Sequence, residues 1–547
     1  MSNLAGCLTA LLGGAVLGLS APGSVLPFGE WLVLPGLAIW FAIALRERRA
    51  KLHSYLFGCA YMAWFSWSVH HVLLPAYLSI VFAGGLYFLL GTAAVRAVPA
   101  RLQSLTFAIA VAGSFWLRAM MPEIHYPHGQ PCHALWQWPS LMHIVCVGGE
   151  PLMNWLLGLL AATGLLVWRS WRLGAPDWSR VRFQFAASVV STGFAVFAGH
   201  VVRGVVPYPS SDDRTVRIAA IEPGFHPSQF RGKPNGLQIY DRLFEERVMT
   251  PTRRLLEGDS QLDLILWPES TVLQQAVRAS DIERQGVAMF SGAFPKSDTR
   301  LVVGATVQKG DNHSPGALLL ELQKGLVLEH HDKQRLVPGG EFLPFVGWLP
   351  ESWADEIRFA FQEALGTPAT CRPGTHRPPM ETAAGAKFGA LLCYDNAFPG
   401  PAARQVADGA EFLVVLSNES WYQGGAELPQ LVAMTVVRAL ENAVPIVRCT
   451  LDGHSVAIDA NGQVLDGLEI APAPQPNARI LQVSIHRATG QIPPMAWLRR
   501  TCGAIFGLLT ALAAAHGLLR WVRIRAANTA LPAAVGPGRS GSGSGGS

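Results

Sequence analysis

The 547 residues are 50% hydrophobic and only 15% charged, whereas average soluble chains carry roughly 25% charged residues. Much of this chain must therefore lie out of water. The net charge of +5 is small, and no run of Lys and Arg interleaved with aromatic residues indicates a nucleic-acid surface. The eight cysteines contain no Cys-x-x-Cys pair, which argues against a zinc site. We therefore expect no nucleic-acid partner, no metal and no cofactor.

Hydropathy predicts about eight membrane-spanning helices. A helix needs about 20 apolar residues to cross the hydrocarbon core of a bilayer. Such stretches lie at 5–21, 27–45, 53–72, 76–95, 104–121, 150–168, 183–203 and 500–520. The chain is therefore expected to be an integral membrane protein.

Basic residues follow every second predicted helix. They are Arg46, Arg48, Arg49 and Lys51, then Arg96 and Arg101, then Arg169, Arg172, Arg180 and Arg182, and finally Arg520, Arg523 and Arg525. The positive-inside rule then places the N-terminus in the cytoplasm and residues of about 205–495 on the outer side. Arg499 and Arg500, at the outer start of the last helix, are the local exception.

The outer segment has a different pattern. Short β-rich runs at 216–221, 262–267, 300–308, 387–394 and 411–417 alternate with helical stretches near 235–256, 281–290 and 427–444. Strands that alternate with helices are typical of an α/β domain whose sheet faces are covered by helices.

Three polar residues stand at predicted strand ends, where α/β folds place their sites. Glu269 follows Leu-Ile-Leu-Trp-Pro, Lys333 opens a Lys-Gln-Arg-Leu-Val-Pro stretch, and Cys393 follows Ala-Leu-Leu. Taken singly, each has an ordinary structural interpretation: a solvated turn residue, a surface charge and a core filler. Taken together, they include the residue types that nucleophilic acyl chemistry requires.

The order Glu269, Lys333, Cys393 resembles the signature of the nitrilase superfamily. The resemblance continues in the Ser-Asn-Glu-Ser-Trp segment that contains Asn418 and Trp421, and it covers about residues 214–487. It implies an α/β nitrilase-like sandwich with α-β-β-α layers, here inserted in a bundle of about eight transmembrane helices.

A narrower resemblance is to the apolipoprotein N-acyltransferases. The stretch from Lys333 to Phe345 has that family's Lys-x-x-Leu-Val-Pro-x-Gly-Glu pattern, with its acid at Glu341. Seven predicted helices before the outer domain and one after it also match the family's layout. The resemblance implies transfer of an acyl chain from a phospholipid to the N-terminal amine of a diacylglyceryl-cysteine lipoprotein. It also implies a multi-pass protein of the bacterial inner membrane, with its catalytic domain in the periplasm.

The residue types suggest their roles. Cys393 is the expected nucleophile, Glu269 the general base and Lys333 the cation that stabilises thiolate and oxyanion. Glu341 is expected to position Lys333 or an incoming amine. Further supporting or substrate-binding residues are expected at Tyr394, Asp395, Asn418, Glu419 and Trp421.

Three departures from the family pattern leave the acceptor open. Asp395 stands where these acyltransferases commonly have Glu, residues 221–230 lack the usual Asn and Trp, and Asp452 replaces an Asn before Gly453. Alternative functions are a membrane-tethered amidase, or a conjugation- or secretion-associated homologue that acylates or binds another acceptor. A catalytically silent membrane scaffold is a further alternative, against which the intact trio argues.

Two groups of residues keep more than one interpretation. The loop before the sixth helix is rich in histidine, at His125, His128, His133 and His143, and loop or interfacial histidines are favoured over metal ligands.

Two cysteines of the outer domain could pair in an oxidising compartment. They are Cys371 and Cys449.

The domain boundaries follow from these patterns. A seven-helix transmembrane domain is expected at 1–205, the catalytic domain at 206–495 and the last transmembrane helix at 496–530. Residues 531–547 form a tail that ends in a Gly/Ser stretch typical of an added linker.

Overall fold

The computed structural model describes residues 3–530 except 47–48, 174–177, 206–214, 231, 259–260, 279–289, 310–311, 366–369, 424, 471–474, 490–491 and 494–495. Almost all of the helix predicted at 281–290, the boundary at 205/206 and the whole tail lie outside the described residues. The chain folds into a helical bundle and a two-sheet domain.

The bundle consists mainly of long apolar helices. In chain order they are α1 Asn3–Gly18, α2 Val33–Ala44, α3 Ala50–Phe65, α4 Leu74–Ala97, α5 Gln103–Met120, α6 Val145–Leu173 and α7 Trp178–Val205. Helix α13, Ala496–Ala530, returns from the sheet domain and packs against α4, α5 and α6. The α6 helix is interrupted at Gly149, whose φ of 67° lies outside the helical region.

Four helices of the described chain are long and apolar enough to cross a membrane. These segments are Leu74–Ala97, Val145–Arg172, Val181–Val205 and Ala496–Arg523. The apolar stretches Leu4–Gly18 and Gly29–Ala44 form shorter helices. Each of the eight predicted spans therefore overlaps a helix, but by length and composition the described chain supports four spans.

The sheet domain contains two six-stranded sheets in the described residues. The first has the order β12-β1-β2-β3-β4-β5 and the second the order β11-β10-β9-β8-β7-β6. The strands are β1 Thr215–Glu222, β2 Leu264–Arg278, β3 Arg300–Lys309, β4 Asn312–Glu321, β5 Leu326–Asp332, β6 Met380–Glu381, β7 Lys387–Leu392, β8 Phe412–Ser417, β9 Ile446–Thr450, β10 Val456–Ile458, β11 Val464–Gly467 and β12 Arg479–His486.

Helices cover the outer faces of both sheets. The helices of this domain are α8 Gly236–Phe244, α9 Thr250–Glu257, α10 Glu351–Leu365, α11 Pro399–Ala407 and α12 Glu427–Asn442. The inner faces of the sheets meet in an apolar layer that includes Leu266 of β2 and Leu416 of β8. The outer face of the first sheet packs against α8 and α9, and that of the second against α11 and α12. The predicted α-β-β-α order of layers is thus confirmed.

The core of the second sheet continues into the membrane bundle. One contiguous apolar cluster contains side chains of α12, of β8 and of the bundle helices. A buried ion-pair group reinforces the junction: Arg438 Nη2 of α12 lies 2.9 Å from Glu150 Oε1 of α6, and Arg438 Nε lies 3.1 Å from Glu441 Oε2. Because Arg438 is fully buried, losing these carboxylates would leave an uncompensated charge.

Candidate active site

Glu269, Lys333 and Cys393 come together at one edge of the sandwich. Glu269 lies within β2, Lys333 directly follows β5, and Cys393 directly follows β7. Strands β2 and β5 belong to the first sheet and β7 to the second. The group therefore lies where the two sheets face each other.

Lys333 is held by two carboxylates. Its Nζ donates hydrogen bonds to Glu269 Oε1 at 2.9 Å and to Glu341 Oε1 at 2.6 Å. The Lys333 side chain is only 1% exposed. Burial alone would lower the pKa of Lys333, but the carboxylates of Glu269 and Glu341 outweigh it and hold the pKa well above its ordinary value. The ammonium group therefore remains charged beside Cys393.

The two carboxylates are themselves fixed by backbone amides. Asn418 N donates to Glu269 Oε2 at 3.3 Å, and Val337 N donates to Glu341 Oε2 at 2.8 Å. Glycine is required at position 304 of β3, because a Cβ there would clash with Pro268 O and Glu269 Cα. This close backbone approach sets the position of Glu269.

Cys393 occupies a strained turn. Its φ is 43°, in the left-handed region that residues with a Cβ seldom adopt. Burial, reinforced by the charge of Glu269, raises the pKa of the Cys393 thiol to about 12, against the opposing effect of Lys333. A thiol with this pKa is protonated at neutral pH, and it would have to lose its proton before acting as a nucleophile.

Ser417 is a functional candidate that the sequence analysis missed. It is buried at the end of β8, and its side chain hydrogen-bonds Cys393, which favours the thiolate. The predicted Ser-Asn-acid segment contains this residue, but serine at a strand end has no distinctive sequence signal. Only the packing of β8 beside β7 brings it to the sulfur.

Asp395 connects the turn that begins at Cys393 to the loop that follows Lys333. Its carboxylate accepts hydrogen bonds from Arg335 N at 2.7 Å, Gln334 N at 3.1 Å and Leu392 N at 3.2 Å. Burial raises the pKa of Asp395 to about 7, against the opposing effects of Lys333 and these amides. The aspartate thus links the segments that carry Lys333 and Cys393.

The other predicted supporting residues lie on the segment after β8 and differ in how far they are buried. Asn418 is buried, and its Oδ1 accepts hydrogen bonds from Ser420 Oγ at 2.7 Å and Ser420 N at 3.3 Å. Glu419 is fully buried in an ion pair with Arg448. Trp421 lies partly buried on the following turn. These contacts favour a role for Asn418 and Glu419 in shaping the segment that holds Glu269.

The histidine-rich loop packs against the nucleophile turn. Tyr394 Oη donates a hydrogen bond of 2.9 Å to the backbone carbonyl of His125, whose ring stacks on Tyr394 at 5.7 Å. His128 stacks on Tyr126 at 4.9 Å, and His133 Nε2 lies 2.8 Å from Glu150 Oε1. In the part of the chain that the structure describes, no three metal-ligating side chains converge. The spacing of the histidines in the sequence gave no indication of these contacts with the turn that begins at Cys393.

The two cysteines considered for a disulfide are free thiols in the structure. Cys449 lies buried between the sheets, where its thiol donates to Ile221 O and Leu266 O, each at 3.3 Å. Cys371 lies beside the site, and its backbone N donates to Glu341 O at 3.0 Å.

Two family models match the chain. The model of the carbon-nitrogen hydrolase family covers residues 245–491, which include the trio. The model of the apolipoprotein N-acyltransferase N-terminal domain covers residues 13–163 of the bundle. The two matched regions thus correspond to the two parts of the fold.

Curated relatives match both parts together. The apolipoprotein N-acyltransferase of Brucella melitensis is 24% identical over 495 residues, which cover 84% of this chain and 81% of the relative. That of Gloeobacter violaceus is 25% identical over 488 residues, covering 84% of this chain and 85% of the relative. Among solved structures, Saccharomyces cerevisiae Nit3, of the nitrilase superfamily, is similar with a TM-score of 0.34 and 17% identity, covering 53% of this chain and 94% of that one. From the two family models and the relatives that span most of its length, the chain belongs to the apolipoprotein N-acyltransferase family of the nitrilase superfamily.

Proposed function

We propose that this chain is a membrane N-acyltransferase that moves a fatty acyl chain from a phospholipid, through a Cys393 thioester, to the N-terminal amine of a diacylglyceryl-cysteine lipoprotein. The main support is the Lys333 ammonium, which two carboxylates hold beside a protonated cysteine. This group also lies against the membrane bundle, since the turn after Cys393 is bonded to the His125 loop.

In the first half-reaction, Cys393 Sγ attacks the ester carbonyl of the phospholipid. Glu269 accepts the thiol proton, and Lys333 stabilises the negative charge that develops on the carbonyl oxygen. The C–O bond of the ester then breaks, and Glu269 returns the proton to the leaving oxygen. The products are a lysophospholipid and an acyl thioester on Cys393.

In the second half-reaction, the neutral amine of the acceptor attacks the thioester carbonyl. An N–C bond forms, the C–S bond breaks, and Glu269 transfers a proton from the amine to the departing thiolate. Overall, the acyl group moves from an ester oxygen of the phospholipid to the amine nitrogen of the acceptor, which becomes an amide. In this scheme Glu341 positions Lys333, and the backbone N–H of Tyr394 contributes to the oxyanion hole.

The placement in the membrane is part of the proposal. About eight helices would span the bacterial inner membrane, with domains at 1–205, 206–495 and 496–530 and the catalytic domain in the periplasm. The basic loops after alternate helices support this orientation. The other four helices, α1, α2, α3 and α5, would then cross as members of the packed bundle, since all four contribute to its buried core.

The test is intact-protein mass spectrometry after incubation with phospholipid and no acceptor, with Cys393→Ala as the matched control. We expect an added fatty acyl mass on the chain that retains Cys393 and none on Cys393→Ala. The added mass should be lost when a diacylglyceryl-cysteine peptide is supplied. An adduct that persists with this peptide but leaves with another amine would reject the lipoprotein acceptor. Release of the acyl group by water alone would indicate a hydrolase in place of a transferase, and normal turnover by Cys393→Ala would reject the mechanism.

A further inference from the structure

Three arginines from separate elements lie near the turn that begins at Cys393. Arg335 follows Lys333 by two residues, Arg404 lies on α11, and Arg500 lies in the first turns of α13. Partial burial lowers the pKa of Arg404, and the positive charges of Arg335 and Arg500 lower it further. Arg335 and Arg500 therefore both lie within electrostatic range of Arg404.

Direct contacts tie this arginine cluster to the active site. Arg335 N donates to Asp395 Oδ1 at 2.7 Å, and its guanidinium carbon lies 5.0 Å from the centre of the Phe398 ring. Arg404 Nη2 donates to the side chain of Gln334. Arg335 and Gln334 both belong to the loop that carries Lys333. The cluster is thus attached to the segments that hold Lys333 and Cys393.

The positive charge of the cluster is not neutralised by carboxylates. In the described residues, none of the three arginines forms an ion pair with an acidic side chain. Asp395 is the acidic group that faces Arg404, but three backbone amides bind its carboxylate. Arg335 and Arg404 are partly buried, and Arg500 is exposed. Guanidinium groups that lie near one another repel, and a bound anion would offset this cost.

The cluster also adjoins a segment that could cross a membrane. Arg500 lies near the start of α13, whose residues Ala496–Arg523 are long and apolar enough to span a bilayer. Its neighbour Arg499 lines a small cavity together with Pro399, at the start of α11. Arg499 and Arg500 are the basic residues that break the positive-inside pattern, so a role other than topology is needed for them.

We propose that Arg335, Arg404 and Arg500 bind the phosphodiester of the phospholipid donor. Arginine is well suited to phosphate because its planar donors match the phosphate oxygens. This inference rests on the proposed acyl transfer. It adds a feature by which the site would distinguish the acyl donor from the acceptor. A phospholipid carries a phosphate next to its glycerol, whereas a diacylglyceryl-cysteine carries none. The cluster therefore acts in the first half-reaction and not in the second.

The test compares two acyl donors with the purified full-length protein in neutral detergent micelles. One is a zwitterionic phospholipid, and the other is the p-nitrophenyl ester of the same fatty acid, which carries no phosphate. The rate of thioester formation is followed for Arg335→Gln, Arg404→Gln and Arg500→Gln. Arg254→Gln is the matched control, because Arg254 is exposed on α9 over the far face of the first sheet.

We expect each cluster variant to slow acylation by phospholipid about tenfold or more, since a hydrogen bond to a charged group contributes about that factor. Acylation by the nitrophenyl ester and release of the thioester by an amine should stay within about twofold of the unmodified protein. Arg500→Lys should recover part of the phospholipid rate, and Arg254→Gln should behave as the unmodified protein.

Equal loss with both donors would overturn the proposal, because it would show that the arginines only support the fold. Unchanged phospholipid rates in all three variants would overturn it too, and inhibition by inorganic phosphate together with that result would indicate a free-phosphate site. Absence of any thioester in the unmodified protein with either donor would instead count against the proposed acyl transfer itself.

Discussion

The hydroxyl of Tyr394 donates a 2.9 Å hydrogen bond to the backbone carbonyl of His125. Tyr394 immediately follows the candidate nucleophile, and His125 lies in the loop between α5 and α6 of the membrane bundle. This bond therefore connects the membrane bundle directly to the turn that carries Cys393. Movement of either part would be transmitted to the position of the sulfur.

Tyr394→Phe should weaken this connection while keeping the aromatic ring. The variant loses one hydrogen bond and leaves the partly buried His125 carbonyl without this donor, which costs about 1 kcal/mol. We expect thioester formation to slow about fivefold, with a small fall in melting temperature. His125→Ala retains the carbonyl acceptor, so a loss of activity in that variant as large as in Tyr394→Phe would contradict the role of the hydrogen bond.

Lys333→Met should destabilise the folded protein as well as inactivate it. Methionine keeps the length of the side chain but leaves the buried Glu269 and Glu341 carboxylates without their cation, which costs about 3–5 kcal/mol. The matched control is Lys387→Met. Its exposed pair with Glu381 has a separation of 3.6 Å, and its removal should cost under about 1 kcal/mol.

The loss of folding stability in Lys333→Met should depend on pH. In the unmodified protein the pKa of Lys333 is raised, so its stabilising contribution is complete below the ordinary lysine range and is lost only above it. In the variant, burial still raises the pKa of Glu341 and Lys333 no longer opposes it, so stability is retained at low pH and lost as pH rises. Thermal unfolding in detergent should show a larger deficit at pH 8 than at pH 5; an equal deficit would contradict this electrostatic cause.

The proximity of the trio was predictable from sequence because each member follows or opens a short, distinctive motif. The strand-end position expected for Glu269 was wrong, since β2 continues past it to Arg278. The partners of the trio were harder to predict. Ser417 and the His125 carbonyl carry common chemical groups, and tertiary packing alone brings them to Cys393 and Tyr394. A backbone carbonyl leaves no trace in the residue type, so no motif could have indicated this contact.

The fold was likewise predicted unevenly. Alternation of apolar runs and turns gave β1, β3, β7 and β8 closely. The β4–β5 hairpin was missed, although Gly325, with a φ of 66°, marks its turn. The predicted spans for α1 to α3 are longer than the helices, because apolar turn residues extend each hydropathy peak beyond the helical backbone.

Backbone strain at Cys393 predicts an unusual order of stability among inactive variants. With φ at 43°, alanine retains the steric cost of a Cβ, whereas glycine does not. Cys393→Gly should therefore be more stable than Cys393→Ala by about 1 kcal/mol. Ala397→Gly, in the same turn but without a positive φ, should instead lose about 0.5–1 kcal/mol. A Cys393→Gly protein that melts below Cys393→Ala would contradict the strain.

Alkylation should report the protonation state of Cys393. Because its pKa is raised to about 12, labelling by iodoacetamide should be slow at pH 7 and rise about tenfold per pH unit up to pH 10. An ordinary cysteine, with a pKa near 8.5, should level off within that range.

Glu269→Gln separates the electrostatic effect of Glu269 from its role as a base. The Glu269 carboxylate raises the pKa of Cys393, so its removal should lower that pKa and speed labelling at pH 8. The same variant should lose most acyl transfer, because no base remains to carry the proton between sulfur and substrate. Faster alkylation together with slower catalysis is the expected combination, measured by mass spectrometry of the labelled Cys393 peptide. Slower labelling in Glu269→Gln would mean that Glu269 activates the resting thiol, and that deprotonation precedes substrate binding.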